Sequence, residues 1–321
     1  MNDMNEINPG VYPTMITPYN RDGSVDLGAV GALTEWYWEK GCHGVFAVCM
    51  SSEMFRLTLR EKRDIVRTVK NKADSLRART GGLRKMSVVA SGHTSDSTEE
   101  QINELCAAAD AGADSTVLIT NRADRYDCDD DEWIRQTERV ISGLPSDITL
   151  GFYECPYPAK RLISDRMLEW MKTTERVAFI KDTCCDIGMM RHRLDILRGS
   201  GIGLFNANAQ TLLPSLRAGA AGFSGVMGNF NPEVLVSLYE CFGSSPERAE
   251  RIQDYITVSC VVEGLRYPLG VKYLLKEHAG IGELIMTRAE QDAALTDYDR
   301  ECLESCYRFN EEARVLLGIR G

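Results

Sequence analysis

Short apolar runs alternate with amphipathic stretches eight times between residues 10 and 242, and no other feature of the chain restricts its fold as strongly. The runs are residues 10–19, 43–49, 86–93, 115–120, 148–156, 177–183, 203–208 and 222–229. Helical periodicity fills the intervals, over 27–40, 60–72, 98–111, 131–142, 165–173, 188–198, 209–218 and 232–242. Gly41, Gly112, Gly219 and Gly222 stand where helices stop and strands start. A strand followed by a helix, eight times over, predicts an α/β chain of the (β/α)8 TIM-barrel type. A doubly wound sheet is the competing solution, but no glycine-rich phosphate loop follows the first run. Beyond Gly243 the pattern is purely helical, over 246–262, 268–278 and 297–317. The expected organisation is a catalytic barrel over 1–242 and a C-terminal helical extension over 243–321 packed on it.

Charge and composition narrow the function. The net charge of −10 argues against nucleic acid or an anionic membrane as partner, while leaving room for a local basic pocket that takes a small anion. No apolar run approaches the roughly 20 residues of a membrane span. The N-terminus, MNDMNEINPG, is polar and has no signal-peptide core. A cytoplasmic protein is expected. The 11 cysteines are scattered without paired CxxC motifs, and the 4 histidines share no metal-ligand spacing. No metal and no cofactor are expected, which demotes a zinc-dependent aldolase.

Chemistry in such a barrel gathers at the C-terminal ends of the strands. Lys181 ends the apolar run Val177-Ala178-Phe179-Ile180. An isolated buried ammonium costs several kcal/mol and tends to lose its proton. A neutral amine attacks ketones, the first step of Schiff-base catalysis. The plainer alternative is a lysine that snorkels to water or pairs with Asp182. Tyr153 ends the preceding run at the same height. Its phenol, with a pKa of about 10 that a nearby ammonium would lower, could pass protons to and from an imine. It could equally be a core aromatic. Ser51 and Ser52 lie in a turn whose hydroxyls and N–H groups suit a carboxylate, or else serve as turn and cap residues.

These residues resemble the dihydrodipicolinate synthase and N-acetylneuraminate lyase superfamily of class I aldolases. The likeness runs from about Gly10 to Asn231 and resumes at Pro268-Leu269-Gly270-Val271-Lys272. It is carried by Pro13-Thr14-Met15-Ile16-Thr17-Pro18-Tyr19 with Asp22-Gly23, by Ser51-Ser52-Glu53 with Leu57-Thr58 and Glu61-Lys62, by Asp110-Ala111-Gly112-Ala113-Asp114, and by Tyr153 and Lys181, spaced 28 apart. The resemblance implies that Lys181 forms an iminium with a 2-oxo acid, that Tyr153 shuttles protons, and that Ser51 and Ser52 hold the carboxylate. It also implies a homo-oligomer, a tetramer or dimer, with the 122–126 region near a neighbour's site.

The departures bear on substrate. Met50 replaces a relay threonine, and Cys49 and Ser52 replace loop glycines. Asn121-Arg122-Ala123 stands where dihydrodipicolinate synthase has a tyrosine pair, with Tyr126 out of alignment. Pro158 stands in place of an arginine, with Lys160 and Arg161 beyond it. Dihydrodipicolinate synthesis is therefore disfavoured. Asn208, Gln210 and Ser224 are neutral groups suited to a polyol chain. Asn208 could also cap a helix, and Gln210 could be a solvated first-turn residue. Arg122 or Arg125 could bind a distal carboxylate. The expected reaction is reversible aldol cleavage of a 2-oxo acid, such as a 2-oxo-3-deoxy sugar acid, to pyruvate and an aldehyde. Dehydration of a keto-deoxy sugar acid through the same imine, or 2-oxo acid binding without turnover, are the rivals.

Overall fold

The structure, a computed structural model, describes residues 7–124, 127–290 and 292–319. Eight strands alternate with eight helices: β1 (Gly10–Val11), α1 (Leu27–Glu39), β2 (Gly44–Phe46), α2 (Leu59–Arg79), β3 (Ser87–Ala90), α3 (Thr98–Asp110), β4 (Ser115–Ile119), α4 (Asp130–Ser142), β5 (Leu150–Tyr153), α5 (Asp165–Thr173), β6 (Val177–Asp182), α6 (Ile187–Leu197), β7 (Gly203–Asn206), α7 (Leu212–Arg217), β8 (Gly222–Phe223) and α8 (Pro232–Cys241). Every strand pairing is parallel, and the sheet runs β1-β8-β7-β6-β5-β4-β3-β2. A parallel bridge between Thr14 and Phe46 joins its two edges and closes the barrel. The (β/α)8 fold read from the alternation is the fold observed. Three more helices follow: α9 (Pro246–Ser259), α10 (Leu269–Ala279) and α11 (Asp297–Leu316).

Local chemistry explains the helix starts. Asp26, Ser97, Asp129 and Asp186 each accept a backbone N–H of the first turn, and Thr58 forms a reciprocal capping box with Glu61. Helix α2 runs on to Arg79, seven residues beyond the expected end, because its apolar stripe continues through Ala73 and Leu76.

Side chains alternate along each strand, so Thr14, Phe46, Tyr153, Lys181 and Phe205 share the barrel interior. Below the lysine the space is filled by rings. Tyr12 meets Phe205 edge-on at 5.0 Å, and Phe179 meets Phe205 at 5.7 Å. Glycine makes the room: a Cβ on Gly44 would come within 2.1 Å of the Tyr12 ring, and one on Gly151 within 2.4 Å of Phe179. Tyr12, Phe179 and Phe205, all buried, thus fill the barrel below Lys181.

The C-terminal helices are tied to the barrel by polar contacts. Gln253 of α9 accepts from Leu213 N–H at 2.7 Å and donates to the Ala209 carbonyl at 3.1 Å. Tyr255 donates to Asn310 of α11 at 2.6 Å. Among the described residues no helix is long and apolar enough to cross a membrane.

Candidate active site

Tyr153 and Lys181 are direct partners in the β5–β6 register. The Lys181 Nζ lies 4.3 Å from the Tyr153 ring centre and 5.2 Å from that of Phe46. Only 4 % of Lys181 is exposed, and among the described residues no carboxylate pairs with it. The alternative pairing with Asp182 does not occur, because strand alternation turns Asp182 to the outer face. There Arg193 of α6 bridges Asp182 and Glu154, the latter at 2.8 Å. Glu154 also accepts the N–H groups of Ile163 and Thr183, each at 2.7 Å. This buried ionic triad joins the ends of β5 and β6 from behind and holds the two inner side chains level.

Burial lowers the Lys181 pKa to about 8, with the Cys49 and Cys155 thiols opposing the shift weakly. The amine is therefore partly free near neutral pH. Burial pushes the Tyr153 phenol well above its ordinary value, with the neighbouring Cys155 and Cys49 adding to the rise, the reverse of the lowering expected from a nearby ammonium. Tyr153 remains a neutral donor.

A cavity of about 580 Å³ opens over the lysine. Its inner wall carries Lys181, Tyr153, Thr14, Ser51, Thr183, Ala207 and Gly225, and its mouth Met50, Phe55, Arg56 and Tyr157. The remaining wall is Glu53 and Pro156 with, from beyond β8, Val226, Glu263, Tyr267, Pro268, Thr287 and Ala289.

The turn after β2 leaves backbone N–H groups unpaired among the described residues. Ser52 N–H closes on the Cys49 carbonyl at 3.1 Å and Glu53 N–H on Met50 at 2.9 Å. The N–H groups of Met50 and Ser51 have no protein acceptor among the described residues. They lie beside the Ser51 hydroxyl, which is 3.0 Å from Thr14 Oγ1, so that hydrogen-bonding groups cluster at this turn. Glu53 completes the turn at a φ of 61°, a conformation side chains avoid. Its carboxylate is locked from the C-terminal segment by Lys272 at 2.9 Å, Thr287 at 2.7 Å and the Arg288 N–H at 2.6 Å.

Of the residues singled out in the sequence, Lys181, Tyr153 and Ser51 meet in this cavity. The others go elsewhere. Ser52 Oγ donates toward the Met15 and Ala47 carbonyls, at 2.7 and 3.0 Å, and is fully buried behind the turn. Asn208 takes its alternative role as a cap, accepting from Thr211 N–H at 3.1 Å. Gln210 is exposed, away from the cavity wall. Ser224 is buried, and its neighbour Gly225 reaches the wall instead. Arg122 donates to the Thr94 carbonyl at 3.0 Å and pairs with Asp96 at 3.2 Å, beside a separate, smaller cavity. Arg125 and Tyr126 lie outside the described residues. Sequence reasoning passed over Arg56, Glu263, Tyr267 and Thr287. The one available signal was Glu263, a lone carboxylate after Val261-Val262.

Among the described residues no group of three or more His, Cys, Asp or Glu side chains could hold a metal ion. What the arrangement can do is covalent carbonyl chemistry by an amine. The chain is accordingly a lyase of the class I, pyruvate-dependent aldolase type. It belongs to the dihydrodipicolinate synthetase family, whose sequence profile matches residues 8–279. An uncharacterized DapA-like lyase of Halobacterium salinarum is 27% identical over 269 residues, 83% of either chain. A 4-hydroxy-tetrahydrodipicolinate synthase of Methanoculleus marisnigri is 24% identical over 251 residues, 77% of this chain and 80% of its own. The sialic acid aldolase of Ruminococcus gnavus has the same fold, with a TM-score of 0.82 at 17% identity over 96% of this chain and 99% of its own.

Proposed function

We propose that the protein forms a Schiff base between Lys181 and the ketone of a 2-oxo acid and cleaves the adduct reversibly to pyruvate and an aldehyde. The observation that carries this reading is a buried amine, unpaired among the described residues and with its pKa lowered to about 8, facing a cavity of about 580 Å³ beside a neutral phenol. The Met50–Ser51 nest would take the carboxylate of the 2-oxo acid, placing its ketone toward the lysine. Tyr153 would exchange protons with the substrate hydroxyl, and the iminium would accept the electron pair released when the C–C bond breaks.

The larger part of the substrate would face Thr183, Thr287, Tyr267 and Glu263, hydrogen-bonding groups suited to a hydroxylated chain such as a 2-oxo-3-deoxy sugar acid. Synthesis of 4-hydroxy-tetrahydrodipicolinate, the activity of the M. marisnigri relative, fits less well. Pro158 offers no cation, Arg161 is engaged by Asp124 and Asp130 at 2.9 and 2.6 Å, and Lys160 donates to the Thr183 carbonyl at 2.8 Å. Dehydration through the same iminium is the second reading, favoured by the carboxyl group of Glu263 on the wall. The working form is taken to be a cytoplasmic homo-oligomer, a tetramer or dimer.

The test is borohydride reduction in the presence of pyruvate, followed by peptide mass analysis. A reduced pyruvate adduct on Lys181 is expected. Its absence across a panel of 2-oxo acids would overturn the reading and leave a binding barrel. Product analysis with 2-oxo-3-deoxy acids then separates cleavage, which releases pyruvate, from dehydration, which does not.

A further inference from the structure

Resting on the Schiff-base reading, we infer that Glu263 is the proton acceptor for the step that turns the Lys181 iminium into its enamine. That step needs a base. Once Lys181 has condensed with the ketone and water has left, its nitrogen is cationic and takes no proton. The C3 proton of bound pyruvate must pass to another group, while the C–H electron pair becomes the C2–C3 double bond and the iminium π pair settles on nitrogen.

The cavity has few groups able to receive it. Tyr153 and Tyr267 are phenols held neutral by burial. Met50, on the turn beside them, carries no proton. Of the two carboxylates on the wall, Glu53 is occupied by Lys272, Thr287 and the N–H groups of Arg288 and Ala289. Glu263 makes no ion pair among the described residues and faces the same space as Lys181.

The surroundings of Glu263 suit the role. It sits in a one-turn segment, Cys260–Gly264, packed against the turn Val226–Asn229, which brings no ionisable side chain. Cys260 and Tyr267 are its charged-capable neighbours, and Lys181, Tyr153, Arg56 and Glu53, the last paired with Lys272 behind the wall, line the remaining cavity. Burial raises its pKa to about 7, with the Met227 N–H opposing. A carboxylate poised there can take a proton and return it near neutral pH, where proton transfer by a positioned group is most effective.

Pyruvate itself is the probe, because the enamine step exchanges its methyl hydrogens for deuterium in D2O without any second substrate. The wild-type protein is expected to exchange them at a rate that rises as pH increases through about 7. Glu263→Gln should slow exchange by about a hundredfold or more. It should still trap pyruvate on Lys181 with borohydride, which also reports that the variant is folded. Glu263→Asp should restore part of the rate. Exchange by Glu263→Gln within about twofold of wild type, with the pH profile unchanged, would overturn the assignment while leaving the imine intact. Failure of the wild type to trap pyruvate would instead overturn the Schiff-base reading on which it rests.

Discussion

Lys181 Nζ stands 4.3 Å from the centre of the Tyr153 ring, on the neighbouring strand and in register with it. A cation over an aromatic face gains about 0.5–2 kcal/mol. Burying an unpaired ammonium costs several kcal/mol. The second effect wins, which is why the lysine's pKa falls to about 8 in spite of the ring. The pair thus sets a partly free amine beside a neutral phenol, where in water the amine would stay almost fully protonated at pH 8.

Trapping of pyruvate on Lys181 should follow the free-amine fraction. Below pH 8 that fraction grows about tenfold per pH unit, and above pH 9 it saturates. Initial trapping rates between pH 6 and 10 check this. A rate still climbing nearly tenfold per unit at pH 9 would mean an ordinary solvated lysine.

Lys181→Met should abolish trapping and raise stability. A lysine whose folded pKa lies below its unfolded value penalises the native state fully below pH 8, and the penalty vanishes as pH rises through 10.5. The gain should therefore be largest at pH 7, on the order of 3 kcal/mol at most, and shrink toward pH 10.5. Urea denaturation of both proteins at pH 7 and 10 measures it.

Arg193→Met should be severely destabilising, because it leaves Glu154 and Asp182 buried without a counter-charge; a loss of about 3–5 kcal/mol is expected. Burial already raises the Glu154 pKa. Its protonated form is therefore favoured in the native state, and the deficit should narrow as pH falls from 7 toward 5. Denaturant midpoints at the two pH values would reveal a deficit independent of pH, contrary to this account.

Glu53→Gln should strand the Lys272 ammonium and loosen the turn that presents the Met50 and Ser51 N–H groups. The expected signature in pyruvate-dependent H/D exchange is a KM raised about tenfold or more with a smaller change in kcat, since the proposed nest would bind the carboxylate rather than the reacting carbon.

How far the site was legible follows from what each residue's neighbours demand. The barrel shows in the sequence because strand and helix periods recur at every unit. Lys181 and Tyr153 stand out because an amine and a phenol end two successive apolar runs. Ser52 and Asn208 have the same chemistry as true ligands, but nearby backbone groups claim their side chains: the Met15 and Ala47 carbonyls for one, the Thr211 N–H for the other. Composition at a strand end does not say whether the local backbone or the cavity takes a polar group. Glu263, Tyr267 and Thr287 were hidden for another reason. They sit more than 80 residues beyond Lys181, in segments without strand periodicity, and only tertiary packing brings them over the mouth.

The lock between Glu53 and residues 272–288 makes the last part of the chain a structural member of the catalytic chamber. A fragment ending after α8 would keep all eight strands, Lys181 and Tyr153, yet lose the wall that encloses them. Conversely, grafting a different segment 260–290 onto this barrel would recut the chamber's outer half while the bond-forming lysine stays where it is. The lysine and the outer wall of the chamber above it thereby lie in two separable stretches of one polypeptide.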